Sequence, residues 1–157
     1  MVAAYRADQV GSLLRPVRLK DAHAAHGRGS LPLAELRALE DQAILEVLEL
    51  QRQVGIDIVS DGEFRRGAWA GDFSEAVDGY VPGAPAVTVF NTAVGNAPQQ
   101  RPSGPAGRVI GDTLRRRHRL TEHESAFLTA HVPGRFKMTM PAASYVLVVT
   151  APSGSVF

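Results

Sequence analysis

Between residues 33 and 54, Leu36, Leu39, Ala43, Ile44, Val47, Leu48 and Val54 recur at helical spacing on one face, which predicts a long amphipathic helix. It starts near Pro32 or Leu33, with Ser30 the candidate N-cap and Pro32 tolerated in the first turn. Gly55 offers the left-handed stop that ends it. The pattern then changes to a short buried strand, Ile56 to Ser60, and two carboxylates, Asp61 and Glu63, stand directly behind it. Helix, glycine, strand and carboxylates read in order as an α/β unit. In parallel α/β architectures ligands bind outside the carboxyl ends of the strands, so Asp61, Gly62 and Glu63 are expected to face a binding site.

The rest of the chain is patterned more weakly. Residues 2 to 10 form a plausible first strand running into Gly11-Ser12, and a short helix follows from about Val17 to Ala25, ended by Gly27 and Gly29. Trp69 and Phe73, four apart within Ala68 to Ala76, fall on one side of a helical turn. Residues 78 to 112 hold half of the 10 prolines, too many for regular helix, and read as an insertion with short strands at Val87 to Phe90 and Val109-Ile110. Thr113 to Leu120 extends the second piece as an exposed, arginine-rich strand, which makes 78–120 an inserted hairpin region. Thr121-Glu-His-Glu124 has the form of a capping box opening a helix to about His131, stopped by Pro133-Gly134. Arg135 to Met140 reads as a further strand, and Tyr145 to Thr150 as an apolar run of undecided type. This order fits successive β/α units of a parallel sheet.

Composition narrows the classes. With 157 residues, 45% apolar and 21% charged, the chain has the make-up of a globular protein able to bury a core, and a single domain over 1–157 is expected. A net charge of +1 gives no general reason to bind nucleic acid or an anionic membrane, so a small-molecule partner is favoured. No apolar run reaches the roughly 18 residues that span a bilayer, and no signal-peptide layout opens the chain, so a cytoplasmic location is expected. A count of 0 cysteines excludes thiol nucleophiles and thiolate metal ligands within these residues.

Three landmarks taken together, Val10-Gly11-Ser12 followed by Leu-Leu-Arg-Pro16, Asp61-Gly-Glu-Phe-Arg-Arg66, and Lys137-Met-Thr-Met-Pro141, resemble the N-terminal part of the catalytic barrel of cobalamin-independent methionine synthase and its shorter relatives. The resemblance runs from about Arg6 to Ser144 and includes Asp72-Phe73. It implies an α/β fold: a partial (β/α)8 TIM barrel, its first three or so β/α units carrying the inserted hairpin, where a complete barrel takes roughly 250 residues. It also implies a zinc-dependent methyltransferase moving a methyl group from methyltetrahydrofolate, as the polyglutamate, to homocysteine or a related thiol. By position, Gly11 and Ser12 match the loop that holds the amino acid's carboxylate, and Glu63 matches the acid that binds its ammonium. Asp61 stands where full synthases often carry histidine, and it is expected to orient Arg65, Arg66 or a metal-bound group. The family's zinc ligands, a His-x-Cys pair, a glutamate and a second cysteine, fall beyond these residues, so no catalytic or metal residue is assigned and the chain reads as an N-terminal fragment, inactive alone. Another thiol alkyl transferase of the superfamily, or a non-catalytic truncated remnant, are the alternatives.

Plainer readings stand beside these. Asp61 and Glu63 could cap the following turn or pair with Arg65 and Arg66 on the surface. Ser12 could cap the short helix, and Gly11 could serve only a tight turn. His23 and His26 read as a solvated helix face, with no third ligand nearby to make a metal site. Arg115, Arg116, Arg117, His118 and Arg119 suit phosphates or a polyglutamate tail, and equally an edge-protecting strand. Trp69 and Phe73 read as packing first and as a pterin platform second.

Overall fold

Residues 9–67, 73, 76–83, 91–94, 97–100 and 108–142 are described by the structure, a computed structural model. They fall into two compact units, one built from residues up to Gly67 together with Thr121–Thr139, the other from Ala68–Leu120 with the segment from Met140 onward.

The first unit is organised by two helices, α1 (Val17–Gly27) and α2 (Leu33–Gln53). Helix α2 buries Leu36, Glu40, Ala43, Ile44, Leu48 and Gln51, the expected stripe with two polar members added. Gly55 takes φ 79, and the amides of Gly55 and Ile56 close back on Arg52 and Gln51, so the glycine stop ends the helix as expected. Val54 lies past the last turn and is exposed, off the buried face assigned to it. Ser30 is not the N-cap of α2: Pro32 holds that place without a side-chain cap, and the Ser30 hydroxyl donates instead to the Ala25 carbonyl behind α1.

Helix α3 (Glu122–His131) forms where a capping box was expected, but the box does not. Thr121 adopts the left-handed conformation at φ 56, whereas a capping side chain needs an extended backbone to reach the first-turn amides. The expected strands at 56–60 and 135–140 shorten to one parallel bridge between Val59 and Phe136. Val59 N–H donates to the Arg135 carbonyl at 2.9 Å, and Lys137 N–H to the Val59 carbonyl at 3.0 Å, so the two segments are parallel neighbours as the β/α order requires. Leu19, Ala43, Ile44, Leu48, Val59, Phe64 and Leu128 form the core, with Phe127, Val132, Phe136 and Met138 packed against it. Phe64, from the acidic motif itself, is among its largest fully buried side chains.

In the second unit, β1 (Val77–Pro82) pairs antiparallel with β4 (Arg108–Arg116), and β2 (Asn91–Val94) pairs antiparallel with β3 (Ala97–Gln100). Strand β1 escaped the pattern because it carries Gly79 and Pro82. The register shifts between Asp78 and Tyr80, and Gly79, at φ 105, lies where a side-chain carbon would meet the Thr113 carbonyl at 2.9 Å. Val109 and Ile110 are in a strand as expected, but β4 stops at Arg116, short of Leu120. Arg115 and Arg116 are exposed, and Arg117 just beyond the strand approaches Asp78 at 3.4 Å. Ala76, Val77 and Tyr80 form a small core with Phe73, Ile110, Leu114 and Leu120. Residues 2–8 of the strand expected at 2–10, the elements at Val87–Phe90 and Tyr145–Thr150, and Trp69 with most of its turn lie outside the described residues, and Gln9 and Val10 belong to no strand.

Candidate functional site

The site grows from the end of the Val59 segment. Gln51, on the last turn of α2, clamps the Ser60 backbone from both sides: its Oε1 accepts from Ser60 N–H at 3.0 Å, and its Nε2 donates to the Ser60 carbonyl at 2.9 Å. A buried side-chain amide thereby replaces a missing strand neighbour. The Ser60 hydroxyl donates to the Gly11 carbonyl at 2.9 Å and accepts from Gly62 N–H at 3.1 Å, and Leu13 N–H donates to the Gly62 carbonyl at 3.1 Å. The loop after residue 10 and the acidic motif are thus tied together through Ser60.

The turn that follows is unusual in its backbone. Gly62 has φ 69, and Glu63, with φ 60, is a non-glycine residue in the left-handed region. That conformation costs about 1–2 kcal/mol for an L-residue and persists only where surrounding contacts impose it. Asp61 Oδ1 accepts from Glu63 N–H at 3.0 Å, Arg15 donates to the Glu63 carbonyl at 2.6 Å and also to that of Arg66, and Phe64 inserts into the core. Arg65 is held under the turn by Glu40 at 3.4 Å, by Asp41, and by the Phe127 ring 4.9 Å away.

These contacts turn the Glu63 side chain inward. Its Oε1 accepts from the Thr139 hydroxyl at 2.5 Å and lies 3.4 Å from Arg66 Nη1. A side-chain carbon on Gly11 would lie 2.9 Å from the same oxygen. Glu63 Oε2 makes no hydrogen bond to the described residues, and the side chain retains 10% exposure. Glu63 and Gly11, separate in the chain, are therefore packed against each other.

Asp61 is buried, with Oδ2 unpartnered among the described residues. Burial pushes its carboxyl above the ordinary value of 3.8, against the Glu63 amide and Arg66 and with help from Glu124. Asp61 closes the turn through the Glu63 amide, while Arg65 pairs with Glu40 and Asp41 and Arg66 with Glu63 and Thr139. Ser12 is exposed and caps nothing, since Pro16 is the N-cap of α1. His23 and His26 do not form a bare solvated face, because His23 Nε2 meets the Phe64 carbonyl at 3.0 Å and His26 Nδ1 the Leu31 carbonyl at 2.8 Å.

Gln51, Ser60 and Glu40 were not singled out by sequence, and Arg15 and Thr139, though inside the landmark motifs, were given no role. For Glu40 and Gln51 a signal existed, because both fall on the apolar stripe of α2, where a polar residue has to find a buried partner.

The family model described as the catalytic domain of cobalamin-independent synthases matches residues 7–126. Protein YxjH of Bacillus subtilis strain 168 is 46% identical over 84 residues, covering 54% of this chain and 22% of its own length. The 5-methyltetrahydropteroyltriglutamate–homocysteine methyltransferase of Lactococcus lactis subsp. cremoris strain SK11 is 33% identical over 72 residues, covering 46% of this chain and 10% of its own. A solved B12-independent methionine synthase from Shewanella sp. W3-18-1, in complex with selenomethionine, superposes with a TM-score of 0.59 at 20% identity, over 80% of this chain and 34% of that one. The chain thus spans less than a quarter of the length of these curated relatives.

Proposed function

The chain belongs to the cobalamin-independent synthase family through its catalytic domain, and from that premise we propose that it carries the amino-acid-binding corner of a methyltransferase barrel acting on homocysteine. On this reading the first unit supplies early β/α units of a TIM barrel, and 78–120 is an insertion between them. Glu63 anchors the substrate ammonium through Oε2, and Gly11 with the exposed Ser12 hydroxyl receives the carboxylate. The observation that carries the reading is the inward Glu63 carboxylate beside Gly11, on a left-handed backbone that the fold imposes.

The chemistry of such a corner is recognition and orientation. A carboxylate fixed on both sides loses little freedom when an ammonium docks, so the charge-assisted bond counts toward binding more fully than it would on a loose side chain. The zinc implied for the family has no donor set here: the chain contains 0 cysteines, and among the described residues no three of His, Asp or Glu gather. Zinc ligands are expected outside these residues, and methyltetrahydrofolate is the proposed methyl donor. The residues of this chain bind and aim the amino-acid end.

Calorimetric titration with homocysteine and with 4-mercaptobutanoate, which lacks only the ammonium, tests the assignment. A preference for homocysteine that disappears in Glu63→Gln supports it. Equal affinities in the wild type, or an undiminished preference in Glu63→Gln, refute it.

A further inference from the structure

Thr139 stands 76 positions after Glu63 yet donates its hydroxyl proton to Glu63 Oε1 at 2.5 Å. Arg66 Nη1 donates into the same hydroxyl at 3.3 Å, and a second Arg66 nitrogen donates to the Thr139 carbonyl. A hydroxyl has a single proton to give. With Arg66 donating into its lone pairs, the Thr139 proton is committed to Glu63. The other branch of the side chain faces Gly11, since a side-chain carbon there would lie 2.6 Å from Thr139 Cγ2. One threonine therefore touches both the carboxylate assigned to the substrate ammonium and the backbone assigned to the substrate carboxylate.

We infer that Thr139 is a positioning residue for amino-acid recognition: by occupying Glu63 Oε1 it fixes the rotation of the carboxylate and presents Oε2 to the ammonium. The inference rests on the reading of Glu63 given above. Arg66 alone does not achieve this. Its approach to Oε1 is long, at 3.4 Å, and a guanidinium can slide between both oxygens, whereas a branched hydroxyl at 2.5 Å selects one. Valine has the shape of threonine without the donor, and serine keeps the donor without the methyl, so the two replacements separate hydroxyl from packing.

The test compares homocysteine with 4-mercaptobutanoate on the full chain by calorimetry, in wild type, Thr139→Val, Thr139→Ser and Glu63→Gln. Thr139→Val should lose roughly tenfold in homocysteine affinity, with 4-mercaptobutanoate affinity unchanged, as expected when a hydrogen bond to a charged group is removed. Thr139→Ser should restore the preference. A packing role alone would weaken both ligands equally. Should Thr139→Val not fold by circular dichroism, Thr139→Ala carries the same expectation.

An unchanged preference in the hydroxyl-free variant, while Glu63→Gln abolishes it, overturns the role of Thr139 and leaves Glu63 standing. Failure of Thr139→Ser to restore the preference overturns the hydroxyl as its cause. Absence of any preference, or of binding, in the wild type overturns the underlying reading instead.

Discussion

The backbone of Gly11 and the carboxylate of Glu63 approach so closely that a side-chain carbon on the glycine would stand 2.9 Å from Glu63 Oε1 and 2.6 Å from Thr139 Cγ2. Both atoms belong to side chains held from behind, by Arg66 and by each other, so neither can yield freely. Gly11 is thus small because of what faces it.

Gly11→Ala is accordingly expected to destabilise the chain by about 1–3 kcal/mol, the usual range for overpacking a close contact. Urea denaturation measures it. A variant as stable as the wild type would show that the turn relaxes freely and that the approach imposes nothing.

Glu63→Gln should weaken homocysteine binding by roughly tenfold to a hundredfold, the loss expected when a charge-assisted bond becomes a neutral one. Folding should change far less, because the amide keeps an oxygen for the Thr139 hydroxyl. A large fall in the urea midpoint with homocysteine affinity intact would reverse the assignment and make Glu63 structural.

Glu40→Ala removes the buried acid that faces Arg65 at 3.4 Å, Arg37 at 2.9 Å and His23 at 3.4 Å. Arg65 is itself buried and keeps only the partly exposed Asp41, so a loss of about 3 kcal/mol is expected for leaving a buried charge short of its partner. The double variant Glu40→Leu with Arg65→Met should recover much of it. If the single variant is neutral, the pair contributes no net stability and the turn at 62–65 is held by Asp61, Arg15 and Phe64.

Asp61 gives the chain a pH signature. Burial raises its folded pKa above 3.8, so the neutral form is favoured in the folded state. Its stabilising contribution is complete below the ordinary value and is lost as pH rises through the raised one. Asp61→Asn, neutral throughout, should therefore gain on the wild type as pH climbs from acid to neutral, read as the difference between their urea midpoints. A difference that stays constant with pH would show that Asp61 ionises in the fold as freely as in the unfolded chain.

The legible parts of this protein were those with a local cause. The stripe from Leu36 to Leu48 and the stop at Gly55 follow from helical periodicity and from the ease with which glycine takes a positive φ, and both stand in the structure. The two expected caps failed because capping depends on a backbone angle as well as a side chain: Pro32 took the place of Ser30, and Thr121 turned left-handed. Strand β1 was hidden because Gly79 and Pro82, read as breakers, instead mark a bulge and a strand end.

The acid motif shows the same division at finer scale. Its position behind a buried segment could be read from residues 56–63 alone, and the expectation that it faces a ligand rested on the same residues. That Gln51 stands in for a strand and that Thr139 closes on Oε1 could not be read there, because those partners lie 9 and 76 residues apart and meet only once the helices have packed. Periodicity records which face a residue prefers; long-range closure, paid in chain entropy and returned by burial, decides whom it meets there.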